Sequence, residues 1–265
     1  YEPATVIDFD VPKKYGLRQT IADTSGIGGI FRALRTIPVM FEFARDMEEV
    51  CPDAWMLNYT NPMPTLSTAM TRETAVRYVG LCHSVQGCAR ALLGHVGLGE
   101  KYAKKPLQWK IAGINHMSWL VEISSGGKDL YPEIKREAEA LLTRIRRRGG
   151  AKKVRDALAK KHKNDREKLR QEPLFLAAHD RVRLEIMLTF GYYNTESSEH
   201  SAEYHPYWIK DAHPELIDQY AIPLDEYPRR CVAQIKNWKS RAKDLVRNPK
   251  LDHRRTHEYG SRIME

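Results

Sequence analysis

The 265-residue sequence lacks any apolar run approaching the ~18–20 residues needed to cross a bilayer, so no membrane span is read from it. Its first residues, Tyr1-Glu2-Pro3-Ala4-Thr5-Val6-Ile7, have neither the basic start nor the apolar stretch of a secretory signal, and no initiator methionine. The missing methionine points to a processed, fragmentary or incomplete chain. Cysteine is scarce. Cys51, Cys82, Cys88 and Cys231 are too few for a disulfide framework at this length and fit reduced thiols in a cytoplasmic protein. There is no internal repeat and no Pro/Ser-rich linker. Also missing are a G-x-G-x-x-G after a strand, a Walker A loop, a G-x-S-x-G elbow and an H-E-x-x-H helix. Gly26-x-Gly28-Gly29 does not match the dinucleotide fingerprint.

What is present is an ordinary globular composition, 42% hydrophobic and 29% charged, long enough for one large or two small domains. The net charge of +9 would invite a nucleic-acid reading. However, residues 135–170 alone carry 15 basic and 5 acidic side chains, and the rest of the chain is nearly neutral. This basic run has no interleaved aromatics on which bases could stack, so no nucleic-acid partner is expected.

Along the chain, Gly26 to Gly29 reads as a break and Ile30 to Val50 as a long helix. Ala54 to Tyr59 and Val76 to Cys82 read as strands. Each is followed by a helix, to about Arg72 in one case and over Val85 to His95 in the other. Gln108 to Ile114 and Met117 to Ile123 read as further strands before a Gly126-Gly127 turn. This strand–helix–strand rhythm argues for a parallel α/β sheet. The second half reads as helices over Ile134 to about Arg148, Lys152 to Arg170, Pro173 to about Phe190 and Asp225 to Val246. Between the last two lies a stretch, Tyr192 to Trp208, dense in aromatics, histidine and carboxylate.

In open α/β sheets, ligands bind beyond the carboxyl ends of the strands. Two such ends are polar here: Asn58-Tyr59-Thr60-Asn61-Pro62 and Cys82-His83-Ser84. An amide there can hold a sugar hydroxyl or a nicotinamide ribose, or it can be a turn residue before proline. Cys82 and His116 (of Asn115-His116) come from different strand ends. They could share a divalent metal, or Cys82 could be a small buried hydrophobe. In the segment from Glu196 to His205, Glu199 and Glu203 share one helix face and His200 and Tyr204 another. They could supply acid, base and hydrogen-bonding groups, or form a solvated helix start capped by Ser197 or Ser198.

The strings Leu57-Asn-Tyr-Thr-Asn-Pro-Met63, Gly80-Leu-Cys-His-Ser-Val-Gln-Gly87, Ala112-Gly-Ile-Asn-His-Met117 and Thr195-Glu-Ser-Ser-Glu-His200 with Ala202-Glu-Tyr204 resemble glycoside hydrolase family 4, above all its α-galactosidase members. Ile21-Ala-Asp-Thr24 and Arg32-Ala-Leu-Arg-Thr-Ile37 fit the same pattern. The resemblance spans nearly the whole chain and is weakest over 135–172. It implies an α/β fold, with a partial Rossmann-like parallel sheet in residues 1–112 followed by a mainly helical α+β substrate and metal domain in 113–265.

It also implies use of NAD and a divalent metal, usually Mn2+. The chemistry departs from two-carboxylate glycosidases: oxidation at C3, metal-assisted proton loss at C2, elimination of the aglycone, addition of water and return of hydride. By resemblance, Cys82 and His116 are metal ligands and Asn61 contacts substrate, joined by Asn115 and His200. His83 is the acid, Asp23 an acidic group near the site, Glu199 the C2 base with His200 second, and Asn58 a cofactor contact. The partners implied are a small-molecule α-glycoside and further copies in a homo-oligomer, dimer or tetramer. The family's Gly-rich NAD turn and its C-terminal end have no counterpart in the sequence, and 144–170 is expanded. Two other readings stand beside this one: a truncated, non-catalytic sugar- or partner-binding remnant, and a lactate/malate-type dehydrogenase relative. Asn61-Pro62 favours the latter, and Cys82 and His116 oppose it.

Overall fold

A computed structural model describes residues 2–248; Tyr1 and residues 249–265, which end the second expected domain, lie outside the described residues. The chain opens with helix α1 (Glu2–Lys13) and, after a loop over 14–25, the long helix α2 (Gly26–Val50). Strand β1 (Trp55–Asn58), helix α3 (Met63–Glu73) and strand β2 (Arg77–Gly80) make one βαβ unit, in which Asn58 pairs with Gly80 in a two-stranded parallel sheet. Helices α4 (His83–His95) and α5 (Gly99–Tyr102) lead to a hairpin of β3 (Gln108–Ile114) and β4 (Met117–Ser125), with β5 (Lys128–Asp129) beside β4. Then come α6 (Tyr131–Arg147), α7 (Ala151–Lys161), α8 (Arg166–Arg170), α9 (Pro173–His179) and α10 (Arg181–Phe190). Strand β6 (Tyr193–Asn194) joins the hairpin sheet antiparallel to β4, and α11 (Ser198–Tyr204), α12 (Glu215–Gln219) and α13 (Glu226–Arg247) close the described chain.

The architecture is therefore mixed α/β, a small parallel sheet followed by a mainly helical region. Among the described residues no helix is long and apolar enough to cross a membrane. Among the described residues the parallel sheet has two strands, because 108–123 folds into an antiparallel hairpin rather than extending it. Only two residues, Asn115 and His116, lie between the paired Ile114 and Met117, too few for a crossover.

Gly26 to Gly29 does not break the chain but begins α2. The reason is close approach: a Cβ on Gly28 would stand 2.5 Å from the Ala22 Cβ, and one on Gly29 2.3 Å from the Thr24 carbonyl oxygen. The expected helix over 152–170 is two helices. Lys163 and Asn164 take left-handed φ values of 51° and 58°, and the Asp165 side chain recaps the chain by accepting from the N–H groups of Glu167 and Lys168. The expected helix over 173–190 is interrupted at Asp180.

Helix α6 explains the basic segment. Ile134, Ala138, Leu141, Leu142 and Ile145 form its buried stripe at helical spacing, and Val154 and Leu158 of α7 extend it. Arg136, Arg144, Arg146 and Arg147 are left in solvent on the opposite face. Each fully buried Leu or Ile contributes roughly 1.5–3 kcal/mol, and this stripe fastens α6 and α7 to α4, α9, α10 and β4 in the main core.

Within that core the carboxylate of Asp180 is fully buried. It accepts from Arg183 Nε at 2.5 Å, Ser198 Oγ at 3.1 Å and the Tyr193 hydroxyl, and it lies 2.8 Å from His95 Nδ1. Burial pushes this carboxyl up, but the Arg183 and His95 charges outweigh burial and hold it below its usual range. Asp180→Asn leaves the Arg183 guanidinium buried without its counter-charge, so a loss of about 3–5 kcal/mol is expected in equilibrium denaturation of the full chain. Because the folded value is depressed, the wild-type advantage should be constant above about pH 4 and close as the pH falls below it. A difference under about 1 kcal/mol near neutral pH would refute this role.

Candidate active site

Five separate segments converge beyond the carboxyl ends of β1 and β2. The loop before α2 brings Asp23 and Thr24, the turn after β1 brings Asn61, and Cys82 stands at the N-cap of α4. The β3–β4 turn brings Asn115 and His116, and the β6–α11 connection brings Glu196, with His200 and Tyr204 following on α11. His116 takes a left-handed φ of 62°, rare for a side chain with a Cβ, which lets a two-residue turn hold its ring in the buried interior.

Asp23 is the hub. Its Oδ1 accepts from the Tyr204 hydroxyl and the Thr24 hydroxyl, both at 2.9 Å, and its Oδ2 accepts from Asn61 Nδ2 at 3.1 Å. The same Oδ1 lies 3.5 Å from His116 Nδ1 and 3.4 Å from His200 Nε2. Burial pushes the Asp23 carboxyl up, yet the two imidazoles beside it hold it well below the usual carboxylate range. The Thr24 hydroxyl, donating to Asp23, receives the His116 Nδ1 proton at 2.7 Å. This assigns the proton to Nδ1 and leaves His116 Nε2, 3.2 Å from Glu196 Oε2, as the coordinating nitrogen. Burial alone would lower the His116 pKa; bonding to Asp23 and Cys82 and the Glu196 charge raise it to about 10. Burial raises the Glu196 carboxyl, and the His200 and His116 charges lower it further than that.

Two sets of groups have ligand atoms within 4.8 Å of one another: Cys82, His116 and Glu196, and Asp23, His116 and His200. Thiolate, imidazole and carboxylate together suit a divalent transition metal, and the buried His200 Nε2 and Asn115 Oδ1 have no aligned hydrogen-bond partner. The residues present therefore fit a metal ion.

Of the residues singled out in the sequence, Asp23, Asn61, Cys82, His116 and His200 come together here, with Asn115 adjoining at the turn. Asn58 is engaged locally: its Nδ2 donates to the Thr60 carbonyl and the Tyr78 hydroxyl, and its Oδ1 accepts from the Thr60 N–H. The Glu199 carboxylate faces His179 Nε2 at 3.9 Å. His83 is the first residue of α4, and its side chain lies outside the described residues. Sequence reasoning missed Thr24 and the site role of Glu196. Glu196, His200 and Tyr204 recur every four residues, and that spacing was the available signal.

Cys82→Ala and His116→Ala should each weaken Mn2+ or Co2+ binding by more than the ~10–100-fold that losing an outer partner costs. The exposed Cys51→Ala control should leave it intact. Calorimetric titration of the full chain checks this, and unchanged affinity in both variants would remove the metal assignment.

The profile of the family 4 glycosyl hydrolases matches residues 1–98, and that of the family 4 glycosyl hydrolase C-terminal domain matches residues 111–265. An α-galactosidase of Bacillus subtilis (strain 168) is 54% identical over 265 residues, 100% of this chain and 53% of that protein. Two solved structures share the fold. The first is lplD of Bacillus subtilis, with a TM-score of 0.69 and 24% identity over 93% of this chain and 52% of its own. The second is a 6-phospho-α-glucosidase from gut microorganisms in complex with NAD and Mn2+, with a TM-score of 0.57 and 19% identity over 90% and 48%. The chain spans about half the length of the curated relatives it matches.

Proposed function

The chain belongs to the family 4 glycosyl hydrolases, and from that premise we propose that it hydrolyses α-galactosides with the help of a divalent metal and NAD. The observation that carries the reading is the convergence of Asp23, Asn61, Cys82, His116, Glu196 and His200 from distant segments, with two buried polar atoms left unsatisfied. The 54% identity to an α-galactosidase supports galactose as the sugar.

Cys82, His116 and Glu196 would hold the metal, which supplies a Lewis acid to neighbouring sugar oxygens. Asp23 and Thr24 orient His116 by holding its Nδ1 proton, so that Nε2 faces the donor set. Asn61, its amide fixed on Asp23, and Asn115, whose Oδ1 is open, bind sugar hydroxyls. His200 is fixed through Nδ1, 2.8 Å from Ser197 Oγ, and moves a proton at Nε2. It takes the base role that the family resemblance gave first to Glu199, which is paired with His179. His83, at the start of α4, keeps the acid role by position.

For NAD the fit differs. The Gly-rich start of α2 is packed against Ala22 and Thr24, and Asn58 is bonded locally, so neither offers a cradle for a pyrophosphate. NAD dependence therefore rests on family membership and on the relative solved with NAD and Mn2+. We further assign the protein to the cytoplasm as a homo-oligomer. None of its cysteines forms a disulfide, and Ile7, Val11, Phe31 and Leu34 leave an apolar face on α1 and α2.

Hydrolysis of a nitrophenyl α-galactoside is expected only when NAD, Mn2+ and a thiol reductant are supplied together. Turnover that persists without NAD would overturn the redox route. Metal binding without turnover under any condition would favour the non-catalytic, sugar-binding reading.

A further inference from the structure

We propose that Glu203 is the positioning residue of the site: its carboxylate gathers the backbone of Thr20, Ile21 and Ala22 and thereby sets where Asp23 stands against His116, His200 and Asn61. Glu203 Oε2 accepts from the N–H groups of Thr20 at 2.5 Å and Ile21 at 2.8 Å, and Oε1 accepts from the N–H of Ala22 at 3.0 Å. The Thr20 hydroxyl lies 2.8 Å from the same Oε2 and 2.9 Å from the Glu199 carbonyl oxygen. Among the described residues Glu203 forms no ion pair with a lysine or arginine; it accepts from the main chain of residues 20–22 and from the Thr20 hydroxyl.

Three consecutive N–H groups on one carboxylate require a backbone turned to face it, and Ala22 takes a left-handed φ of 53° to comply. A residue with a Cβ does not keep that conformation unless its surroundings impose it. Here Glu203 holds the Ala22 N–H from one side and Gly28 abuts its Cβ from the other. The next residue is Asp23. The next residue along α11 is Tyr204, whose hydroxyl donates to Asp23 Oδ1. One turn of α11 thus grips the segment twice, Glu203 by its main chain and Tyr204 by its functional side chain. The segment's other face is tied to the start of α13, where the N–H groups of Asp225 and Tyr227 donate to the carbonyls of Gln19 and Thr20. Glu203 touches none of the proposed metal ligands and acts through Asp23, which in turn orients His116.

The inference rests on the proposed reading of the site for its activity readout only. The experiment compares the full chain with Glu203→Gln, Asp23→Asn and the double variant. It follows Mn2+ affinity by calorimetry, the His116 and His200 ring signals by 1H–15N NMR, and kcat and KM on a nitrophenyl α-galactoside. In Glu203→Gln one acceptor oxygen becomes an amide that opposes the backbone donors. The expected outcome is a loss of Mn2+ affinity of about tenfold, at the low end for an outer partner. Shifted His116 and His200 ring signals and a fall in kcat with little change in KM are also expected. In the Asp23→Asn background the same change should move neither affinity nor ring signals further.

Equal, additive losses in both backgrounds would overturn the proposal, as would unchanged ring signals in folded Glu203→Gln. Glu203→Asp, which keeps the charge but draws it back by one methylene, is judged by the same cycle if the glutamine variant does not fold. A chain that turns over no galactoside under any condition refutes the glycosidase reading, while affinity and ring signals still decide the role of Glu203.

Discussion

The fold depends above all on one buried carboxylate. Asp180 lies where α9 passes into α10, and its four partners come from four places: His95 at the end of α4, Arg183 on α10, Tyr193 on β6 and Ser198 at the start of α11. Buried charges survive only when paired and bonded, and Asp180 has partners on α4, β6 and α11, three of the elements that lead toward the site. Arg183 carries the link onward by donating to the Thr195 carbonyl, beside Glu196. The strand and helix that deliver Glu196 and His200 are therefore fastened to the core from below before any site residue is engaged.

Above that anchor the site sets buried carboxylates against buried imidazoles. Asp23 and Glu196 are held ionised, and His116, at about 10, carries a proton at neutral pH. A cation entering among Cys82, His116 and Glu196 would occupy a place already prepared for positive charge, and it would displace protons in doing so. The same arrangement explains how so many polar groups share a water-poor interior: Asp23 and Glu196 each face His116 and His200, and the atoms left over, His200 Nε2 and Asn115 Oδ1, border the space a ligand would fill.

The sequence made some of this legible and concealed the rest for physical reasons. Cys82, Asn61 and His116 could be found because they stand at strand ends and turns, where short strings of residues fix the local geometry, whereas Asp23 came only from the family resemblance. The βαβ unit over 55–80 was readable for the same reason, as apolar runs bounded by proline and glycine. The break at Asp180 was not, since 173–190 keeps an unbroken helical pattern. Only the tertiary demand of Arg183, His95 and Tyr193 turns that side chain inward. Glu199 stood first and His200 second as the base, because nothing in the one-dimensional pattern tells which carboxylate meets His179 and which meets His116. As sequence, the glycines at 26–29 read as a chain break, whereas their value lies in the missing side chains.

Those glycines have a consequence for how the molecule can change over evolutionary time. With Gly28 and Gly29 in direct contact with Ala22 and Thr24, the loop that presents Asp23 and the 25-residue helix behind it behave as one rigid part, and drift at either position has almost no room. A lineage acquiring a new sugar preference could not do so by reshaping that loop without displacing the whole helix.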